Sequence, residues 1–209
     1  MDPERTAVII GTGEICDRPE DPALSLEPLQ LMAAALRRAD EEAHGLLARV
    51  DSLDIVHQTS WAYCATAQSL CALADIAPRR AVYGVTGGES PVRYIHQAAM
   101  RIAAGESRIA AIVGAEAQYA RARAKKAGVD LPWTPRADRV ENRLDPRTLY
   151  HPLAVVHEVL APAEIYPLYE NAASHAWGQS PGAALDESAA LWARYSAVAA
   201  SNPFAWSRQ

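Results

Sequence analysis

Residues 87–91 read Gly-Gly-Glu-Ser-Pro and combine a hydroxyl with backbone that could receive a ligand. Two glycines let the main chain turn sharply and approach a ligand closely. Pro91 suits the first turn of a helix, and the free amides and partial positive charge of that helix start would face the ligand. The Ser90 hydroxyl is a nucleophile only with a base beside it; its simpler role is to cap the helix that follows. Gly11-Thr12-Gly13 suggests a dinucleotide fingerprint, but the third glycine is missing and a proline-bearing loop delays the next helix. It reads as a strand-end turn. Arg121, Arg123, Lys125 and Lys126 form a basic run, either a solvated helix face or a holder of ligand phosphates. The six histidines, His44, His57, His96, His151, His157 and His175, show no metal-ligand spacing, so no metal site is expected. Cys16, Cys64 and Cys71 contain no C-x-x-C. That odd set suits a reducing compartment and neither a disulfide framework nor a zinc site.

These residues sit in a chain of 209 with 50% hydrophobic and 22% charged residues. That is enough for one domain with a proper core, or a domain and a small subdomain. The apolar fraction excludes a disordered chain, and no apolar run reaches the roughly 18 residues that span a bilayer. A net charge of −5 argues against nucleic acid as a partner. Met1-Asp2-Pro3-Glu4-Arg5 runs directly into a strand-like segment without a signal peptide, which implies a cytoplasmic protein.

The elements that must position the chemistry follow from hydrophobic period and punctuation. Thr6–Ile10 reads as a short buried strand. A helix is expected from Ser25 as N-cap to about His44, with Leu29, Met32, Ala33 and Leu36 on its apolar face and Gly45 as its stop. Val50–His57 is a second strand, and Ala65–Ile76 a shorter helix. Strand Ala81–Val85, a helix over Ser90–Ala104 and the apolar strand Arg108–Val113 form a βαβ unit with a parallel strand pair. Val92, Ile95, Ala99 and Ile102 share one face of that helix, and Thr6–Ile10 is expected in the same sheet. Gln118–Ala127 reads as a helix and 128–150 as loop. Ala163–Trp177 and Leu185–Ala200 read as amphipathic helices split by Gly178-Gln179-Ser180-Pro181-Gly182, with Tyr166, Tyr169, Trp177 and Trp192 as packing residues. The sequence therefore divides into an α/β part, 1–116, and a mostly helical part, 117–209.

The order of these segments resembles the thiolase superfamily. The carriers are Gly87-Gly88-Glu89-Ser90-Pro91, A-A-M-R-I-A-A-G over 98–105 and R-I-A-A-I-V-G-A-E-A over 108–117. Further on, I-Y-P-L-Y-E-N-A over 165–172 and L-W-A-R-Y-S-A-V-A-A-S-N-P-F-A-W over 191–206 look like the helical loop domain of sterol-carrier-protein-linked thiolases, a branch that includes acetyl-CoA acetyltransferases and thiolase-like proteins. The resemblance implies an amino-terminal thiolase-like half: an α/β half domain with a parallel βαβ core plus a helical loop subdomain. It implies acyl-CoA as ligand or substrate, with coenzyme A as part of that ligand and no resident cofactor. Arg121, Arg123, Lys125 and Lys126 then become candidates for binding it. Counted back from Gly105, the family's nucleophilic cysteine falls at Gly88, which has no side chain, so Gly87, Gly88, Glu89 and Ser90 form a degenerate nucleophile turn. The histidine and second cysteine of the family's later half, in N-E-A-F and G-H-P motifs, do not occur. The resemblance thus implies acyl-CoA binding or processing without ordinary thiolysis. Its alternatives are aldolase-type carbon–carbon cleavage of a hydroxyacyl-CoA, or a non-catalytic scaffold pairing with a second subunit that supplies the missing half. Family subunits pair near the nucleophile turn, which implies a homodimer or larger assembly.

Overall fold

A computed structural model describes residues 5–139, 141–142 and 150–205. The expectations for residues 1–4, for residues 140 and 143–149 of the 128–150 loop, and for Trp206 lie outside the described residues. The chain divides into two compact units, Met1–Leu144 and Asp145–Gln209.

The first unit is built on a parallel three-stranded sheet of β1 (Ser52–Ile55), β2 (Arg80–Tyr83) and β3 (Ala110–Val113), in the order β2-β1-β3. Ser52 lies opposite Arg80 on one side and Ala110 on the other. The expected pair Ala81–Val85 and Arg108–Val113 is therefore parallel and in one sheet, but the two strands are not neighbours. The helix between them, α3 (Ser90–Ala103), carries the chain past β1, because a crossover connection fixes strand direction and leaves adjacency open. β1 takes the centre and is buried at all four positions.

Side-chain alternation gives β1 two different faces. Leu53 and Ile55 enter an apolar core with Leu29, Met32 and Leu36 of α1 (Pro28–Glu42) and Leu70 and Ala74 of α2 (Thr66–Ala74). Ser52 and Asp54 face the other way, where Arg80 and Arg101 meet the Asp54 carboxylate. The apolar α1 face read from sequence is buried as expected. Its N-cap is Glu27 rather than Ser25: the Glu27 amide donates to the Gln30 side chain at 3.0 Å, and Pro28 takes the first helical position. His44 and Gly45 then turn the chain left-handed, at φ 56° and 81°, and end the helix.

Thr6–Ile10 is not a strand. Among the described residues the sheet consists of β2, β1 and β3, and Val8 and Ile9 are exposed; apolar composition alone does not make a strand. Residues 11–13 are anchored on α1. A Cβ on Gly11 would lie 2.2 Å from the Ala39 carbonyl oxygen, and one on Gly13 2.1 Å from that of Ala35. The Thr12 amide and hydroxyl donate to Glu42. Gly11-Thr12-Gly13 is thus a close-packing motif against a helix, and among the described residues no strand precedes it.

On α3 the buried residues are Ser90, Tyr94 and Ala98, while Val92 and Ile95 of the expected apolar face point outward. Two long-range contacts set this rotation. Tyr94 lies over Gly84, where any Cβ would overlap its hydroxyl, and Arg101 reaches Asp54.

Helix α4 (Gln118–Ala127) spans the expected residues and belongs to this first unit. Trp133 donates to the Ser25 carbonyl at 2.7 Å and packs with Leu31, Ala117 and Ala120. Thr134 donates twice to the buried Glu27 carboxylate. The division drawn at 116/117 therefore falls inside this unit. Trp133 and Thr134 bond back to the entrance of α1, 108 and 107 positions earlier in the chain, a coupling that hydrophobic period does not reveal.

The second unit holds α5 (Pro152–Val156), α6 (Pro162–Ala176) and α7 (Pro181–Ser201). The two longer helices match expectation; α5 is an addition. None of the three buries a residue. Tyr166, Tyr169, Trp177 and Trp192, expected as packing residues, are all exposed. Among the described residues, no helix is long and apolar enough to cross a membrane.

Candidate functional site

Ligands of open parallel sheets bind outside the carboxyl ends of the strands. Here that edge carries Val56–Ala65 after β1, Gly84–Glu89 after β2 and Gly114–Ala117 after β3.

The turn after β2 holds the residues singled out by sequence. Ser90 opens α3 and is fully buried. Its amide donates to the Gly87 carbonyl at 3.1 Å and its hydroxyl to the Val85 carbonyl at 3.4 Å. It therefore closes the turn; the N-cap position belongs to Glu89, whose carboxylate pairs with Arg93. A buried hydroxyl turned to a carbonyl is not a nucleophile. Gly87 is crowded by the Glu89 carboxylate, whereas a Cβ on Gly88 would meet nothing within 4 Å. The Gly88 and Glu89 amides make no hydrogen bond with the described residues.

The loop after β1 is a rigid polar platform. Buried Gln58 accepts from the Trp61 amide at 2.8 Å and donates to the Trp61 carbonyl. The Tyr83 hydroxyl accepts from the Gln58 amide at 3.1 Å. The Glu116 carboxylate, from the loop after β3, accepts from the Thr59 and Ser60 amides at 2.6 and 2.9 Å, tying the first loop to the third.

His57 stands at the centre of this edge. Its ring stacks on Tyr83, with centroids 5.1 Å apart and planes 21° apart. Nδ1 is 3.2 Å from the Thr86 hydroxyl, and Nε2 is 3.1 Å from the Glu141 carbonyl oxygen. Burial holds the imidazole below the ordinary histidine pKa; the bond to Glu141 and the Glu116 charge pull the other way and are weaker. Burial also pushes the Tyr83 phenol up. Metal-ligand spacing does not single out His57. The signal that finds it is position, two residues past the end of a central parallel strand.

The basic candidates lie on α4. Arg123 donates to the carbonyls of Pro19 and Glu20 and so fastens the loop before α1. Arg121 bonds Gln118 at 3.1 Å. Lys125 and Lys126 are exposed in the last turn, where cations complement the helix dipole. Cys64 is exposed in the loop before α2, and Cys71 lies within α2, where burial raises its thiol pKa.

No family model matches the sequence, and no curated protein matches it. Among solved structures, the chain is similar to a monomeric SCP2-thiolase like protein type 1 from Mycobacterium smegmatis, with a TM-score of 0.68 and 25% identity. The match covers 97% of this chain and 36% of that one. The chain has a thiolase-like fold, and it spans little more than a third of the length of the protein it matches.

Proposed function

We propose that the chain binds an acyl-CoA thioester at the carboxyl edge of its sheet, without cysteine-dependent thiolysis. The observation that carries this reading is the space a Cβ would find at Gly88, in a turn whose Gly88 and Glu89 amides make no hydrogen bond with the described residues, in a chain of thiolase-like fold. Backbone amides at a helix start hold a thioester oxygen without needing a side chain. Gly88 has no thiolate to take the acyl group and release it again. Of the four basic residues assigned to the coenzyme A phosphates, Lys125 and Lys126 keep exposed ammonium groups for that role, while Arg123 is committed to its loop. The reading needs no metal and no resident cofactor.

The test is to incubate the chain with acetoacetyl-CoA and free coenzyme A and measure the acetyl-CoA formed, the product of thiolysis and not of hydrolysis. No thiolysis is expected, while acetyl-CoA binds by calorimetry. Thiolysis that disappears in Cys64→Ala or Cys71→Ala would show the nucleophile to be elsewhere.

A second reading, a scaffold subunit paired with another copy or a complementary half, has its own support. Val92 is 72% exposed, Ile95 50% and Met100 58%, all on α3, and exposed apolar groups of this size mark interaction surfaces. Acyl-CoA binding with turnover only after a partner is added would favour the scaffold. A light-scattering mass of 22.6 kDa would count against any homodimer or larger assembly.

A further inference from the structure

We propose that Thr86 is an acyl-accepting nucleophile with His57 as its general base, two residues before Gly88, where the resemblance puts the family's cysteine. The inference rests on the acyl-thioester reading above and gives that site a reacting atom.

The two side chains come from neighbouring strands at one edge. His57 lies two residues past β1 and Thr86 three residues past β2, and these strands pair directly. The Thr86 Oγ1 to His57 Nδ1 distance is 3.2 Å, within hydrogen-bond reach for a nucleophile and its base. The direction of the proton follows from the other ring nitrogen. Nε2 faces the Glu141 carbonyl oxygen at 3.1 Å, and a carbonyl only accepts. Nε2 therefore carries the hydrogen, Nδ1 carries the lone pair, and the threonine hydroxyl donates to it. Hydroxyl, imidazole and orienting acceptor stand in the order that activates a nucleophile.

The orienter is itself fixed. The Glu141 carboxylate accepts from the Thr66 amide at 3.0 Å and the Thr66 hydroxyl at 2.6 Å. Asn142 donates to the Tyr83 carbonyl at 2.6 Å, and the Tyr83 ring supports one face of the imidazole. A ring held at both nitrogens and one face loses little freedom when it takes a proton, as preorganised bases do. Burial keeps it neutral near neutral pH, the form a base requires. Gly88 and Glu89 follow Thr86 in the same turn, and their amides, which make no hydrogen bond with the described residues, are the donors this step assigns to the oxyanion.

The step balances. His57 Nδ1 takes the Thr86 hydroxyl proton as Oγ1 attacks the thioester carbonyl carbon. The carbon–sulfur bond then breaks, and the departing thiolate of coenzyme A takes the proton from Nδ1. An ester on Thr86 and free coenzyme A result. Water, activated by the same imidazole, hydrolyses the ester to a carboxylic acid and restores the hydroxyl.

The experiment treats the whole chain separately with acetyl-CoA and with a fluorophosphonate, which labels activated hydroxyls without coenzyme A binding, and locates adducts by peptide mass spectrometry. Both reagents are expected to modify Thr86. Labelling should persist in Thr86→Ser, vanish in Thr86→Val, and slow about 100-fold in His57→Gln. Thr86→Ser serves as the folded control, and circular dichroism checks the other two. Fluorophosphonate labelling of Thr86 without acetylation would keep the nucleophile and base and overturn the thioester reading. Acetyl-CoA binding with Thr86 unmodified by either reagent, or with adducts on Cys64 or Ser90, would overturn the nucleophile and leave the binding reading standing.

Discussion

Arg101 of α3 reaches the carboxylate of Asp54 on the central strand; the other carboxylate oxygen is 2.7 Å from Arg80 on the adjacent strand. Asp54 is almost wholly buried, so one charge ties together the centre of the sheet, its neighbour and the helix that follows the turn at 87–90. Arg101 is itself largely buried, and its Nε has no hydrogen-bond partner among the described residues.

Asp54→Asn should therefore be among the most damaging single changes in the first unit. It leaves two guanidinium groups facing a neutral amide, and breaking such a buried pair costs about 3–5 kcal/mol. Urea unfolding followed by circular dichroism checks this. A midpoint equal to that of the parent would show the pair to be solvated.

The glycines separate into two behaviours. Gly11→Ala and Gly13→Ala force a Cβ against α1 carbonyl oxygens and should each destabilise by about 1–3 kcal/mol. Gly88→Ala enters open space and should change stability by less than about 0.5 kcal/mol. Thermal melts of the three variants side by side decide the contrast; equal losses would mean that the Gly88 backbone, and not its surroundings, selects glycine.

Gly88→Cys should fold like the parent for the same reason and place a thiol beside the start of α3, where the helix dipole favours the thiolate. Rapid alkylation by iodoacetamide at residue 88, faster than at exposed Cys64, is expected by peptide mapping. Alkylation at 88 no faster than at Cys64 would show that the turn does not stabilise negative charge.

Stability should also carry a signature of His57. Its folded pKa lies below the ordinary value of 6.5, mainly through burial, so the unfolded chain takes up the proton first as pH falls. The contribution is complete above pH 6.5 and declines below it until the folded imidazole also charges. The groups facing the ring are the Tyr83 face, the Thr86 hydroxyl, the Glu141 carbonyl and, through its charge, Glu116. The urea midpoint should fall between about pH 7.5 and about pH 5.5 by less in His57→Gln than in the parent. An identical fall in both would place the ring in water.

The helices and the direction of the strands were legible because they depend on local pattern. Leu29, Met32, Ala33 and Leu36 announce a buried helix face, and the run from β2 through α3 to β3 requires parallel strands. What was not legible depends on partners distant in sequence. Thr6–Ile10 has strand composition but is not among the strands of the sheet. The rotation of α3 is set by Gly84 and Asp54, not by its own apolar stripe. Ser90 occupies an N-terminal helical position yet turns inward to Val85. The turn at 87–90 could be found from glycine spacing, whereas His57 is separated from Thr86 and Glu141 by 29 and 84 positions and meets them only at the folded edge.

The proposed acyl thioester binds at the carboxyl edge of the sheet, against the turn at 87–90. The most direct measurement is a titration of acetyl-CoA into isotope-labelled chain, followed by amide resonances. Saturable shifts concentrated at His57–Ser60 and Thr86–Val92 are predicted, with smaller ones at Lys125 and Lys126. No shift at millimolar ligand, or shifts that leave Thr86–Val92 unmoved, would contradict it.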